Sequence, residues 1–573
     1  MQTPKEIFLE LLRPDGKPER LLKQYEALSI FLFDPLGGFL HSGRMPGATI
    51  IDKWGVTIAW PENHPGSMPV VNDETKVLKD ITHWRDYVHA PDIASVTEGW
   101  EEAEKLGRSM CGEDKLFCAF MATGLFEQCH FLMGFEDTLT NLYEHPAEMH
   151  ELINYLTEYK LQYAKMLIDG LHPDLIFSHD DWGTKDALFM QPDVWREFFK
   201  EPYRRLYGYV RSRGVMVVHH ADSYLSPIVE DMAEIGIQCW QGVLPENDIP
   251  ELQQRLRGRM VLMGGIGAAI DRADATEEEI RAYVASALEE YAPGGSFIPS
   301  ITYGLAGTVF KHVDPFIDDE IDKYNSVLHM PGKKSARPAR RVKAALSEED
   351  KAAVQVQPDT PETLEKLADA IYKGQKAKAV KLSQAAIEEG ISADRIISGA
   401  LMVGMNRLGC DFTLGKVFVP EMLMAAKAMN AATDYLKPML QSGGEKGKGR
   451  VCLGTVKGDM HDIGKNLVKI MMEGSGLEVI DLGVDVSAEK FIDTAINENC
   501  DIISCSSLLT TCMGEMRNVV NLAKERGIRD KVKILVGGAP ISQSFCDEIG
   551  ADAYTVDAGL AARTALRLIA NKA

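Results

Sequence analysis

From residue 450 onward, short β-rich runs alternate with helical stretches, and that rhythm constrains the fold of this chain more than any other feature. RVCLGTV leads into HDIGKNLVKIMMEGSG, then EVIDLG, AEKFIDTAINEN, DIISCSS, MRNVVNLAKERG, KILVGG and a last helix from Ala558. Alternating β and α units build an open, doubly wound parallel sheet, which takes ligands at the carboxyl ends of its strands. A longer βα series fills residues 1–330, with strands predicted at 175–180, 215–221, 237–242, 260–267 and 295–300. Repeated βα units over ~250 residues predict a TIM (β/α)8 barrel whose active site lies where the strands end.

Between the two series, residues 351–440 are rich in Ala, Leu, Met, Lys and Glu at helical spacing, as in TLEKLADAIYKG and ADRIISGALMVGMNRLG. Each of these segments stops at a glycine suited to a helix C-terminus, which predicts a small helical bundle. The segment PGKKSARPARRVKAALSEED, 331–350, holds two prolines and six basic residues between Lys333 and Lys343, and reads as a linker. QSGGEKGKGR, 441–450, reads as a second connector, so the predicted units are a barrel (1–330), a linker (331–350), a helical cap (351–440) and a Rossmann-like, flavodoxin-like domain (449–573).

The formal net charge of −22 argues against nucleic acid or an anionic membrane as a partner. The ten cysteines are scattered singly without a CxxC pair, as expected of a reduced protein. No signal peptide is legible at the N-terminus and no apolar run approaches the ~18 residues of a membrane span, so a cytoplasmic location is expected.

The most specific chemistry follows the first strand of the C-terminal series: Gly458-Asp459-Met460-His461-Asp462-Ile463-Gly464. An imidazole ligand to a metal works best when a carboxylate holds its other nitrogen, and Asp459 lies two residues from His461. Gly464, at the opening of the next helix, leaves room beside the sheet. Ser506-Ser507-Leu508 closes the third strand and Gly537-Gly538-Ala539-Pro540 the fourth. In this order D-x-H-x-x-G, S-x-L and G-G resemble the B12-binding domain of methionine synthase and of corrinoid methyltransferase proteins. That resemblance implies a cobalamin-type corrinoid, with His461 as lower ligand of its cobalt and Asp459 as the partner of that histidine. Ser506 and Leu508 would meet the displaced base, and Gly464, Gly537 and Gly538 would line the nucleotide tail. The stretch from Gly409 to Glu421 is similar to the helical cap of those proteins, with Phe418 over the cobalt.

In the first 330 residues, polar groups cluster at strand ends: His179-Asp180-Asp181-Trp182, His219-His220-Ala221-Asp222 and Ser300-Ile301-Thr302-Tyr303. With Thr123-Gly124-Leu125-Phe126-Glu127-Gln128 and Gly264-Gly265-Ile266, they resemble the methyltransferase branch of the uroporphyrinogen decarboxylase superfamily. Members of that branch that methylate a thiol hold zinc with His-x-Cys and a distant Cys, whereas here the positions read His220-Ala221-Asp222 and Ser300-Ile301-Thr302. A thiol acceptor is therefore not expected, and the opposite direction, removal of a methyl group from a donor, is. His220 and Asp222 are candidates to hold zinc as N and O ligands, or to act as general acid for a leaving oxygen; His179, Asp181, Asp180 and Glu246 could complete either arrangement.

The resemblances together imply a corrinoid-dependent methyltransferase carrying both functions in one polypeptide, similar to chloromethane:corrinoid methyltransferases and to O-demethylase systems. The expected reaction moves a methyl group from a methoxylated aromatic or a methyl halide to Co(I) of the chain's own corrinoid. Trp182, Trp240 and Tyr303 would suit either an aromatic donor or a core. Implied partners are a second methyltransferase serving tetrahydrofolate and a reductive activase. A methyl-corrinoid:acceptor methyltransferase and a non-catalytic corrinoid carrier or sensor are the alternatives.

Overall fold

The computed structural model describes residues 2–13, 15–62, 66–267, 270–271, 275–301, 313–327, 360–439, 449–459, 463–507, 512–538, 541–555 and 558–570. The chain divides into two compact units, Met1–Arg341 and Val342–Ala573. The predicted linker at 331–350 lies outside the described residues, as does most of the connector at 441–450.

In the first unit seven parallel strands hydrogen-bond in sequence: β1 (Leu28–Phe31), β5 (Leu116–Met121), β6 (Leu175–His179), β7 (Met216–His220), β8 (Cys239–Val243), β9 (Val261–Ile266) and β10 (Phe297–Ile301). The remaining strands, β2 (Thr49–Ile51), β3 (Thr57–Ala59) and β4 (Met68–Pro69), form a small antiparallel sheet inserted between β1 and β5, which the sequence reading did not anticipate. The seven-stranded sheet curls into the expected barrel. Leu28, Leu116, Cys118, Leu175, Phe177, Val218, Cys239, Val261, Met263 and Ile298 join one apolar cluster, and only a sheet rolled on itself brings side chains from all seven strands together. Within a strand these residues are two apart, as a one-faced column of a pleated strand requires. Ile7, Phe8 and Leu11 complete the cluster from the helix Pro4–Leu11, whose start is fixed by a reciprocal Thr3–Glu6 capping box.

The interior columns decide where the chemistry can be. Two residues beyond Phe177, Val218, Cys239 and Ile298 stand His179, His220, Gln241 and Ser300. Apolar packing therefore fills the barrel and gives way to polar side chains at the carboxyl end, where β9 contributes only Gly264 and Gly265. His179 and His220 are register partners across β6 and β7, and His220 and Gln241 across β7 and β8.

The second unit holds a five-stranded parallel sheet of β11 (Arg450–Thr455), β12 (Glu478–Asp481), β13 (Ile502–Ser506), β14 (Lys533–Gly537) and β15 (Ala553–Thr555). Its order, β12-β11-β13-β14-β15, is the flavodoxin-like winding, and the switch point falls between β11 and β13. The predicted bundle precedes it as helices Glu362–Tyr372 and Lys376–Glu388, a continuous helical run over 393–413, and Val419–Leu436. Bundle residues Leu367, Ile371, Leu401, Met405, Met422 and Met429 share one core with Met471, Met472, Ile502, Leu535 and Ala561 of the sheet domain. The opposite face of the sheet builds a separate core around Phe491, Ile492, Met516, Val520 and Ile534.

Candidate functional site

At the switch point, the backbone after β11 turns through Gly458, whose φ of +84° favours glycine, into Asp459, which is fully buried. The Asp459 carboxylate accepts a hydrogen bond of 2.9 Å from Ser507 Oγ. The loop is tied back by Gly458 N–H to Asp485 Oδ1, 2.7 Å, and by Asp485 N–H to the Asp459 carbonyl, 3.0 Å. His461, the expected cobalt ligand, and Leu508 lie outside the described residues.

The sheet register places Thr455, Ser506, Gly537 and Thr555 in one row along the carboxyl edge. All four are small, so the edge offers a shallow groove. Gly538 is confined: a Cβ there would lie 1.8 Å from the Ser507 carbonyl oxygen, at a φ of +131°. Gly464 is the reverse, exposed, with nothing within 4 Å of a would-be Cβ. A buried carboxylate, a row of small residues and an open first helical turn suit a corrinoid whose tail enters beside the sheet. Phe418 is half-buried at the start of the Val419–Leu436 helix, its N–H donating to Glu421 Oε2 at 3.1 Å. Ser507, which bonds Asp459, was given no role in the sequence reading.

In the barrel, His179, Asp181 and His220 bring one potential ligand atom each within 4.8 Å of one another, the one such group among the described residues. The two imidazole rings stack with centroids 4.8 Å apart. Each is held from behind: His179 Nδ1 lies 3.0 Å from Glu127 Oε2, and His220 Nδ1 hydrogen-bonds Gln241 Oε1. With both Nδ1 atoms so engaged, His179 Nε2 lies 3.7 Å from Asp181 Oδ2. Asp181 is oriented in turn, its Oδ1 accepting from Asp222 N–H at 3.0 Å and from Ser223 Oγ at 3.1 Å.

The electrostatics are concentrated. Burial works against the charged form of His179, but Glu127, by charge and hydrogen bond, then Asp181 and Asp180, push its imidazole up to about 10. Against its own burial, Glu127 is pulled down to about 2, chiefly by His179. Burial and then Asp181 push the Asp222 carboxyl well above the usual carboxylate range.

Asp180 has a different role from its neighbours. It is fully buried and its carboxylate accepts from Phe126 N–H, Glu127 N–H, Trp182 Nε1 and Tyr203 Oη, at 3.0, 2.9, 2.8 and 2.5 Å. It thereby anchors the N-terminus of the helix Leu125–Met133, which carries Glu127. A Cβ on Gly124 would fall 2.0 Å from Asp180 Cγ, so glycine is needed there. Asp180→Ala is expected to destabilise the barrel by about 3–5 kcal/mol, read from urea unfolding, because four buried donors lose their acceptor together.

Several sequence expectations take a different form here. β7 ends at His220, so the alternation that would have aimed Asp222 alongside it stops; the third member of the cluster is Asp181. Glu246 is exposed and takes no part in the cluster. Trp182 and Trp240 are fully buried, their Nε1 atoms bonded to Asp180 and to the Ala221 carbonyl, and so serve the core rather than a donor. Tyr303 lies outside the described residues. Gln241 was not singled out from the sequence, although a lone glutamine ending an inward column was a usable signal.

Comparison with known proteins finds three family matches. Residues 449–567 match the B12 binding domain family, residues 363–437 a second B12 binding domain family, and residues 48–318 the uroporphyrinogen decarboxylase (URO-D) family. The chain is 42% identical over 210 residues to a dimethylamine corrinoid protein of Methanosarcina barkeri, covering 36% of this chain and 98% of that protein. It is 45% identical over 167 residues to dimethylamine corrinoid protein 3 of Methanosarcina mazei, covering 29% of this chain and all of the relative. Among solved structures, the methanol:cobalamin methyltransferase complex MtaBC from Methanosarcina barkeri is similar at 34% identity, over 40% of this chain and 86% of that one, with a TM-score of 0.34. No helix among the described residues is long and apolar enough to cross a membrane.

Proposed function

Because the chain belongs to the corrinoid-dependent methyltransferases, with a uroporphyrinogen decarboxylase-like barrel fused to a B12-binding module, we propose that its barrel removes a methyl group from an oxygen-linked donor and its own corrinoid receives it. A cobalt(I) corrinoid supplies a strong nucleophile for a methyl carbon; the protein has to position the donor and stabilise what leaves.

The observation that carries this reading is a pair of buried polar side chains at the ends of the inward-facing strand columns. Gln241 and Ser300 are fully buried, and Gln241 Nε2 and Ser300 Oγ have no hydrogen-bond partner among the described residues. Buried donors without acceptors are costly, and at the end of an active-site barrel they suit a substrate oxygen. An aryloxide leaving group accepts hydrogen bonds more strongly than chloride, which favours a methoxylated aromatic over a methyl halide. His179, Asp181 and His220 offer two imidazoles and a carboxylate, each fixed by a second group, which suits a divalent cation such as zinc. Held there, the cation would polarise the donor oxygen as a Lewis acid. Asp222, beside Asp181, is placed to return a proton to the departing oxygen. Onward transfer then needs a second methyltransferase serving an acceptor such as tetrahydrofolate, and accidental oxidation of the cobalt needs a reductive activase.

Products distinguish the donors. The reduced, corrinoid-loaded chain, incubated without oxygen with 2-methoxyphenol, 3-methoxybenzoate or chloromethane, is expected to release about one equivalent of the demethylated phenol in a single turnover and no chloride. Chloride release without phenol would contradict the oxygen-linked donor.

A further inference from the structure

A second group of incompletely partnered polar atoms lies in the same barrel, apart from the histidine cluster. Lys160, on the helix Pro146–Leu171, is only 4% exposed. Its one hydrogen bond among the described residues is a long one, 3.3 Å, from Nζ to the carbonyl of Ala122, directly after β5. Tyr159, its neighbour, is 6% exposed and its hydroxyl has no hydrogen-bond partner among the described residues. The buried Nε of Arg44, after β1, likewise has no partner among the described residues. Arg44 and Tyr159 meet at the loop at 52–54, where Arg44 Nη2 reaches Asp52 Oδ2 at 3.3 Å and the Trp54 ring packs edge-on to Tyr159 at 4.9 Å, and Lys160 Nζ lies 6.0 Å from the centroid of the Tyr159 ring. The charges of Arg44 and Lys160 also converge on His41, where desolvation and then these two cations hold the imidazole down at about 4.

Carboxylates nearby do not account for Lys160. Glu127 and Asp180 act on it at a distance, but Glu127 is engaged with His179 and Asp180 with its four donors. Asp52 is occupied by Trp54 N–H and Val56 N–H as well as Arg44. A buried ammonium, a buried hydroxyl and a guanidinium edge, all short of acceptors, describe a site for an anion with two oxygens.

We propose that Lys160, Tyr159 and Arg44 form a seat for a carboxylate, so that the donor taken by this barrel carries an anionic group besides its methyl: a methoxylated aryl carboxylate rather than a neutral ether. This rests on the barrel being the donor-binding unit. Lys160 sits close enough to feel Glu127, which holds His179, so the anion seat and the histidine cluster share the same end of the barrel.

The test compares 3-methoxybenzoate with its neutral isostere 3-methoxybenzamide, by calorimetric titration of the full corrinoid-loaded chain. The carboxylate is expected to bind roughly tenfold to a hundredfold more tightly, and Lys160→Met to bring the two affinities together. Tyr159→Phe and Arg44→Gln should each weaken the carboxylate by about threefold to tenfold. Circular dichroism checks that each variant folds, and if Lys160→Met does not, the other two decide: loss of preference supports the seat and its retention overturns it. Equal affinities in the parent chain, or a preference surviving in folded Lys160→Met, would overturn the proposal. Lys160-dependent binding without any demethylation would keep the seat and remove the donor reaction. Demethylation of both compounds without preference would do the opposite.

Discussion

Asp181→Asn is expected to lower donor-dependent methyl transfer by about a thousandfold while the corrinoid stays fully bound. Asparagine keeps an oxygen that can accept from Asp222 N–H and Ser223 Oγ, so the loop after β6 retains its hydrogen bonds. What it loses is the negative charge beside the two imidazoles, on which the proposed cation binding would depend. Metal content measured on the parent chain and the variant should fall in parallel with single-turnover rate. His220→Ala should behave alike, and Gln241→Ala should do less, about tenfold to a hundredfold, because it removes an orienting group and one donor. A variant that lost metal without losing rate would remove the cation from the account and leave the proton donor.

The second large effect concerns the other unit. Gly538→Ala is expected to weaken corrinoid binding by about a hundredfold or more, measured as corrinoid retained per chain after gel filtration. The added Cβ would lie 1.8 Å from the Ser507 carbonyl oxygen, with a positive φ that alanine resists. Relief requires Ser507 to move, and Ser507 Oγ is what holds the buried Asp459 carboxylate. Ser507→Ala removes that hydrogen bond without adding a clash and should cost about tenfold. If both variants retained corrinoid like the parent, the part assigned to Asp459 would fall.

Much of this was legible in the sequence where a local pattern carries the chemistry. The βα rhythm after residue 450 is set by runs of β-formers between helical stretches, and β11 to β14 fall where those runs lie, whereas the three-residue β15 was not read. His179 and His220 end inward columns of alternating residues, so their strand positions follow from a period of two. Contacts made through tertiary structure were not legible. Glu127 sits on a helix 52 residues before His179, and nothing in its neighbourhood announces that its carboxylate backs an imidazole. Asp222 was paired with His220 on the assumption of a continuing strand; instead the strand ends at His220 and the Asp222 backbone serves Asp181. The short strand β1 and the antiparallel sheet of β2 to β4 give too few residues for a period to show. Trp182 and Trp240 illustrate the limit of composition: an indole suits a ring-binding mouth and a core equally, and only burial separates them.

The central claim is that one chain both binds the methyl donor in its barrel and accepts the methyl group on its own corrinoid. The most direct test is the visible absorption of the reduced, corrinoid-loaded protein, followed without oxygen as 3-methoxybenzoate is added. The account predicts that the absorption of the reduced corrinoid is lost in the parent chain, with one phenol formed per corrinoid consumed, and persists in Asp181→Asn. An unchanged spectrum in the parent chain with every methoxylated donor, or an equal change in Asp181→Asn, would contradict it.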